Sequence, residues 1–350
     1  MNKQLNIPIN LLQTIDPIHL ISNIENQLNS EMAHNICRLK NKKVIFNRNS
    51  NNELKPIHGW DIKTPELESK IFKPSTKQIT VAGIDSSCIQ VAETDVGSVY
   101  AGRAAVVFSQ NGKISKYIRI GPIIYYMDEI NASKLSFEIS GSDRLKKLFL
   151  LDKSLAQQII REKLERNIAL ELTKMLSSSI IMIDGCLRYS KFEERKSNLR
   201  RLIELANENN NIIIGLSKVT RIGILNNISQ VLYNSRNTPA YLNVNEFIPP
   251  FLSYTKSQIL LVRFSNDGHP YRIDISSSNI EESLSLLISS DSFYHGYPET
   301  LKMAHHFSIF TGTQSDSIKS YLVKNIGVLE IPSENIRYAS LGSMSFRISH

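Results

Sequence analysis

The sequence predicts an α/β protein, a mixed sheet with helices on its faces. Three observations carry this. Ile79-Thr80-Val81-Ala82-Gly83-Ile84-Asp85 and Ile180-Ile181-Met182-Ile183-Asp184-Gly185 are short β-branched runs without helical period, the pattern of buried strands. Between them, from Asp143, the apolar spacing changes to that of a long amphipathic helix. After the second run, helix-like and strand-like segments alternate.

Taken in order, residues 1–76 read as an N-terminal, partly helical arm. Ile18, Ile21, Ile24 and Leu28 have helical spacing within Pro17–Asn29, and Met32–Leu39 forms a second helical piece. Asn47–Asn52 reads as a loop, and Trp60, the lone tryptophan, as a packing anchor. Residues 77–350 form the main domain. Its first strand ends at Asp85. Ser98–Phe108 and Lys113–Ile120 follow as two strands joined by Asn111-Gly112, a hairpin signal. Leu145, Leu148, Leu155, Ile159, Leu164, Ile168, Leu172 and Met175 mark the long helix. The strand ending at Asp184 comes next, then a helix over Phe192–Ala206 and a strand over Ile212–Leu216. The resulting order, β-β-β-α-β-α-β, is that of the ribonuclease H-like fold. Beyond it, Gln258–Phe264 and Tyr271–Ile275 read as a hairpin and Ile280–Ile288 as a helix. Pro298 fits the first position of another helix through His305, and Asp316–Lys324 forms a last one, stopped at Gly327.

The chain of 350 residues carries a net charge of +8 and is 41% hydrophobic and 21% charged, the composition of an ordinary soluble protein. Its pI near 9.2 is compatible with a polyanionic partner such as nucleic acid. No run approaches the ~20 apolar residues that span a bilayer, so no membrane partner is expected. The first residues lack a secretory layout. Cys37, Cys88 and Cys186 are three in number and show no CxxC spacing, so a disulfide framework or structural zinc is not expected. A reducing cytoplasm is the expected setting.

Asp85 and Asp184 each leave an Ile-rich strand into small residues. Either alone reads as a cap or turn former; together, on neighbouring strands, they could share a hard divalent cation such as Mg²⁺ or Mn²⁺. Glu162 points away from the apolar stripe of the long helix. Glu165 and Glu171 flank that stripe on opposite sides, and helical geometry does not choose between them. His305 shares a helix face with Leu301 and offers an imidazole; His306 follows it. Lys218, at the end of the Ile212–Leu216 strand, is placed to meet a phosphate. There is no GxxxxGK[ST] phosphate loop, no HExxH and no GxSxG, and Gly83 and Gly97 make no dinucleotide fingerprint.

Val81-Ala82-Gly83-Ile84-Asp85-Ser86-Ser87, Ile183-Asp184-Gly185-Cys186-Leu187, Gly215-Leu216-Ser217-Lys218 and Gly296-Tyr297-Pro298 through Ala304-His305 occur in the order found in the NurA nuclease family, which residues 77–312 resemble. The resemblance implies a ribonuclease H-like core and a homodimer. It also implies a manganese-dependent nuclease of the 5′–3′ exonuclease and single-strand endonuclease type, working on DNA with a hexameric HerA-type translocase. It further implies that Asp85, Asp184, Glu165 and His305 are metal ligands, Glu165 being the helix glutamate whose spacing suits the family best. Two departures stand out. Asp85-Ser86-Ser87 replaces the usual Asp-Gly-Ser, and Cys186 stands where serine is common. The expected chemistry is two-metal hydrolysis, with two Mn²⁺ or Mg²⁺ ions ~3.5–4 Å apart and Lys218 steadying the phosphate. The rival readings are a catalytically silent subunit that clamps DNA for a motor, and a ribonuclease H-like enzyme acting on RNA or hybrids. End processing, repair and phage defence all fit.

Overall fold

The computed structural model describes residues 40, 43–46, 68–132, 152–187, 198–218, 223–235, 237–248 and 257–331. The expected helices at 17–29 and 32–39, the 47–52 loop, Trp60, and Leu145 and Leu148 of the long helix lie outside these residues.

The chain begins with short strands β1 (Lys43–Phe46) and β2 (Lys70–Ile71), which fall within the expected arm. Three long strands follow: β3 (Val81–Glu93), β4 (Gly97–Gln110) and β5 (Lys113–Asp128). Then come α1 (Lys153–Met175), β6 (Ile180–Asp184), α2 (Asn198–Glu208), β7 (Ile212–Ser217), α3 (Gly223–Asn234) and β8 (Ala240–Asn243). The hairpin β9 (Gln258–Arg263) and β10 (Tyr271–Ile275) leads to α4 (Ile280–Ser290), then β11 (Phe293–Tyr294) and β12 (Tyr297–Pro298). Next are α5 (Glu299–Ser308), α6 (Gly312–Tyr321) and β13 (Leu329–Glu330). Among the described residues, eleven strands form one mixed sheet, ordered β13–β1–β3–β6–β7–β10–β9–β8–β2, with β4 and β5 branching from β3. The path β5–β4–β3–β6–β7, antiparallel across the first three and parallel from β3 to β7, is the ribonuclease H-like core.

Strands β3, β6 and β7 read as unbroken apolar runs because both faces are covered. On one face Ala82, Ile84, Ile181, Ile183 and Ile213 pack under Leu164, Ile168 and Leu172 of α1 and Leu202 of α2. On the other, Val81, Ile180, Met182, Ile214 and Leu216 pack under Leu284 and Leu287 of α4 and Leu301 of α5. Asp152 caps α1, its side chain accepting from the Ser154 and Leu155 amides. No helix among the described residues is long and apolar enough to cross a membrane.

Several boundaries differ from the expected ones. β3 does not end at Asp85; pairing with β4 carries it on to Glu93. β5 runs past Ile120, because Gly121 and Pro122 form a bulge opposite Arg103 on an edge strand instead of breaking it. Asn111 and Gly112 do form the tight hairpin, at φ 53° and 69°. Pro298 is the residue before α5, not its first turn, and pairs with Phe293. The last helix starts earlier, where Thr311 and Gln314 make a capping box, and Gly327 closes its continuation at φ 77°.

Candidate active site

The site lies where β3 outlasts its parallel neighbour. β6 pairs with β3 from Val81 to Ile84, and β1 rejoins the same edge only at Ala92 and Glu93. Asp85 is the first residue past the β6 pairing, and Asp184 is the last residue of β6. The two carboxylates therefore come together at the carboxyl end of parallel strands, where α/β sheets place ligands. α1 approaches this gap from one face of the sheet and α5 from the other.

Each helix delivers a partner. From α5, His305 Nδ1 stands 2.7 Å from Asp85 Oδ2, and Ser308 Oγ is 3.4 Å from the same oxygen. From α1, Glu165 Oε1 accepts a 2.5 Å hydrogen bond from Ser86 Oγ. Arg161, one turn earlier, donates from Nε to the Ser86 carbonyl at 2.8 Å. Its Nη2 lies 3.6 Å from Asp85 Oδ1 and 3.8 Å from Glu165 Oε1. On the far side Lys218 Nζ donates to Asp184 Oδ2 at 2.8 Å and lies 5.2 Å above the Tyr297 ring.

Close backbone packing holds these elements. A side chain on Gly83 would stand 2.8 Å from the Thr300 carbonyl carbon and 2.9 Å from the Leu301 nitrogen, so only glycine lets α5 seat against β3. Asp291 accepts a 2.5 Å hydrogen bond from Thr300 Oγ1 and ties the first turn of α5 down. Ser87 Oγ donates to the Ser308 carbonyl at the other end. Past Asp184, the Gly185 amide donates to the Leu216 carbonyl, and the Leu187 amide to Asp274, itself paired with Arg272 on β10.

Electrostatics mark the gap as a place for added positive charge. Burial pushes the Glu165 carboxyl up to about 8; the Asp85 charge adds to this, while Arg161 and the Ser86 hydroxyl oppose it. Burial, and then the Asp85 charge, also raise Asp184, against the pull of Lys218. Asp85, Asp184 and His305 each offer a ligand atom within 4.8 Å of one another. Two carboxylates and an imidazole within this distance are a donor set that suits a divalent cation such as Mn²⁺.

All five sequence-predicted residues thus meet at one place: Asp85, Asp184 and His305 in the tight group, Glu165 beside it through Ser86 and Arg161, and Lys218 on Asp184. Glu171 lies elsewhere, buried and paired with Lys174 Nζ at 2.6 Å. Ser86 is the hydroxyl that holds Glu165. Arg161 was not singled out by sequence, and Tyr297 entered only as part of the Gly296-Tyr297-Pro298 motif. Arg161 sits four residues before Glu165, hence on the same helix face, a signal the apolar pattern obscures. Cys88 and Cys186 are not in disulfides.

The model of the NurA domain matches residues 79–308, well over half of the chain. No curated protein matches. Among solved structures, the NurA nuclease from Sulfolobus solfataricus is 18% identical with a TM-score of 0.46, over 91% of this chain and 98% of its own. A NurA structure bound to dAMP and manganese is 13% identical, with a TM-score of 0.44, over 90% and 97%. Endonuclease V from Bacillus subtilis is 13% identical, with a TM-score of 0.33, over 77% and 98%. These likenesses are distant, and the domain match carries the assignment. The chain belongs to the NurA family of nucleases.

Proposed function

We infer that this chain is a divalent-metal-dependent deoxyribonuclease. The observation that carries the reading is the convergence of Asp85, Asp184 and His305 within 4.8 Å at the open edge of β3, in a chain of the NurA family. Asp85, Asp184 and His305, with Glu165 beside them, would hold Mn²⁺ or Mg²⁺, two ions in the full site. When bound, such ions supply Lewis-acid charge at the phosphate and a water of lowered pKa. In the hydrolysis, water's oxygen joins phosphorus and the phosphorus–oxygen bond to the leaving sugar breaks. The attacking water gives up a proton, and the leaving oxygen gains one.

The chain's own groups prepare this step. His305 and Ser308 fix the Asp85 carboxylate, and Ser86 fixes Glu165. Lys218 neutralises Asp184 in the free protein and is close enough to meet charge developing on the phosphate. The net charge of +8 favours a polyanionic substrate. We extend the reading to 5′–3′ exonuclease and single-strand endonuclease action by a homodimer, partnered by a HerA-type hexameric ATPase in DNA end processing or phage defence.

The test is a cleavage assay with Mn²⁺ on linear duplex, single-stranded DNA, RNA and hybrid, with and without the ATPase. DNA should be degraded, EDTA should stop the reaction, and Asp85→Ala should abolish it. DNA bound but never cut would identify the clamping subunit instead. Faster cleavage of RNA or hybrids would move the assignment to a ribonuclease.

A further inference from the structure

We propose that Arg161 is a further catalytic residue, a backbone-anchored guanidinium that grips the scissile phosphodiester beside the acidic cluster. The inference rests on the nuclease reading and goes beyond its metal ligands.

The geometry separates Arg161 from an ordinary ion-pair partner. Its Nε is committed to the Ser86 carbonyl at 2.8 Å, which fixes the plane of the guanidinium against β3. Nη2 then lies 3.6 and 3.8 Å from Asp85 and Glu165, attracted by both but beyond hydrogen-bond length to either. The donors on both terminal nitrogens are thus left over among the described residues. The exposure follows the same division: Asp85 is fully buried, whereas the Arg161 side chain is 42% exposed. Of Asp85, Glu165 and Arg161, the cation is the one that reaches solvent, where a substrate arrives.

The placement suits phosphate chemistry. Arg161 flanks the cluster on the Asp85–Glu165 side and Lys218 flanks it on the Asp184 side, so a phosphate over the carboxylates would lie between two cations. A planar guanidinium presents paired donors in a fixed geometry that matches two phosphate oxygens, a preorganisation an ammonium lacks. As water attacks, charge builds on the non-bridging oxygens, and a preorganised donor aimed there lowers the barrier. Lys218 differs in donating directly to Asp184 at 2.8 Å in the free protein, whereas the terminal nitrogens of Arg161 make no such bond among the described residues.

The experiment compares wild type, Arg161→Gln and Arg161→Lys in Mn²⁺-dependent cleavage of single-stranded DNA. All three are measured at saturating metal, with Mn²⁺ affinity and melting temperature taken in parallel. The expected result for Arg161→Gln is a fall in kcat of about 100-fold with folding retained. Arg161→Lys should recover only part of it. A phosphorothioate at the cut linkage should slow the wild type more than Arg161→Gln, because the variant has already lost the oxygen contact. Unchanged kcat at saturating metal in Arg161→Gln, with altered Mn²⁺ affinity alone, would overturn the inference and leave the nuclease reading standing. A wild type that cuts no nucleic acid would overturn both.

Discussion

His305 Nδ1 lies 2.7 Å from Asp85 Oδ2 and joins residues 220 positions apart, so α5 closes directly on the first long strand of the sheet. The contact depends on the whole fold, because β3 and α5 meet only when the sheet is complete. His305→Ala should therefore report on the site rather than on stability. Mn²⁺ affinity by calorimetry should fall at least about tenfold, with a melting temperature near that of wild type because the imidazole is half exposed.

Glu165 gives the site a proton to lose. With its pKa pushed up to about 8, it is mostly protonated at pH 7 in the metal-free protein. Metal binding should displace that proton. Calorimetry in buffers of different ionisation enthalpy should show proton release on metal binding at pH 7, and less in Glu165→Gln. The stability sign follows from the raised value. The stabilising contribution is full below the ordinary carboxylate range and is lost as pH rises to about 8, so the metal-free wild type should weaken relative to Glu165→Gln across that window and change little beyond it.

Asp291 makes a second, separate pH test. Burial pushes it up to about 6 against the hydrogen bonds from Thr300. Its contribution is present below the unfolded value and lost as pH rises through 6. Wild type should lose roughly 2 kcal/mol relative to Asp291→Asn between pH 4 and 7. Urea unfolding at the two pH values measures this, and parallel curves would refute it.

Gly83→Ala probes the seating of α5. The added methyl would meet the Thr300 and Leu301 backbone at 2.8–2.9 Å, and the helix must shift. A loss of about 1–3 kcal/mol is expected. Because His305 rides on the same helix, Mn²⁺ affinity should drop together with melting temperature, unlike in His305→Ala.

The strands and their acids were legible because period and burial agree. Ile-rich runs buried on both faces carry no helical pattern, and each delivers its Asp where pairing changes. What the sequence concealed was the continuation of β3 past Asp85. Ser86 and Ser87 look like a turn, yet β4 keeps pairing beside them. The choice between Glu165 and Glu171 was also hidden, since from Leu164 to Thr173 α1 is buried all round and shows no single inward face. In the fold the Ser86 hydroxyl reaches Glu165, while Glu171 turns to Lys174. Arg161 was missed because a helix arginine one turn from a glutamate resembles a surface ion pair until the strand beneath it is known.

The central claim is that Asp85, Asp184 and His305 together hold the ion that supports cleavage. Anomalous diffraction from crystals soaked in Mn²⁺ tests it most directly. The account predicts a peak within bonding distance, about 2.0–2.3 Å, of donor atoms of all three residues. It also predicts that the peak is lost in Asp85→Asn. A protein that cuts DNA while its manganese peak lies elsewhere, or one that binds no manganese at all, would contradict it.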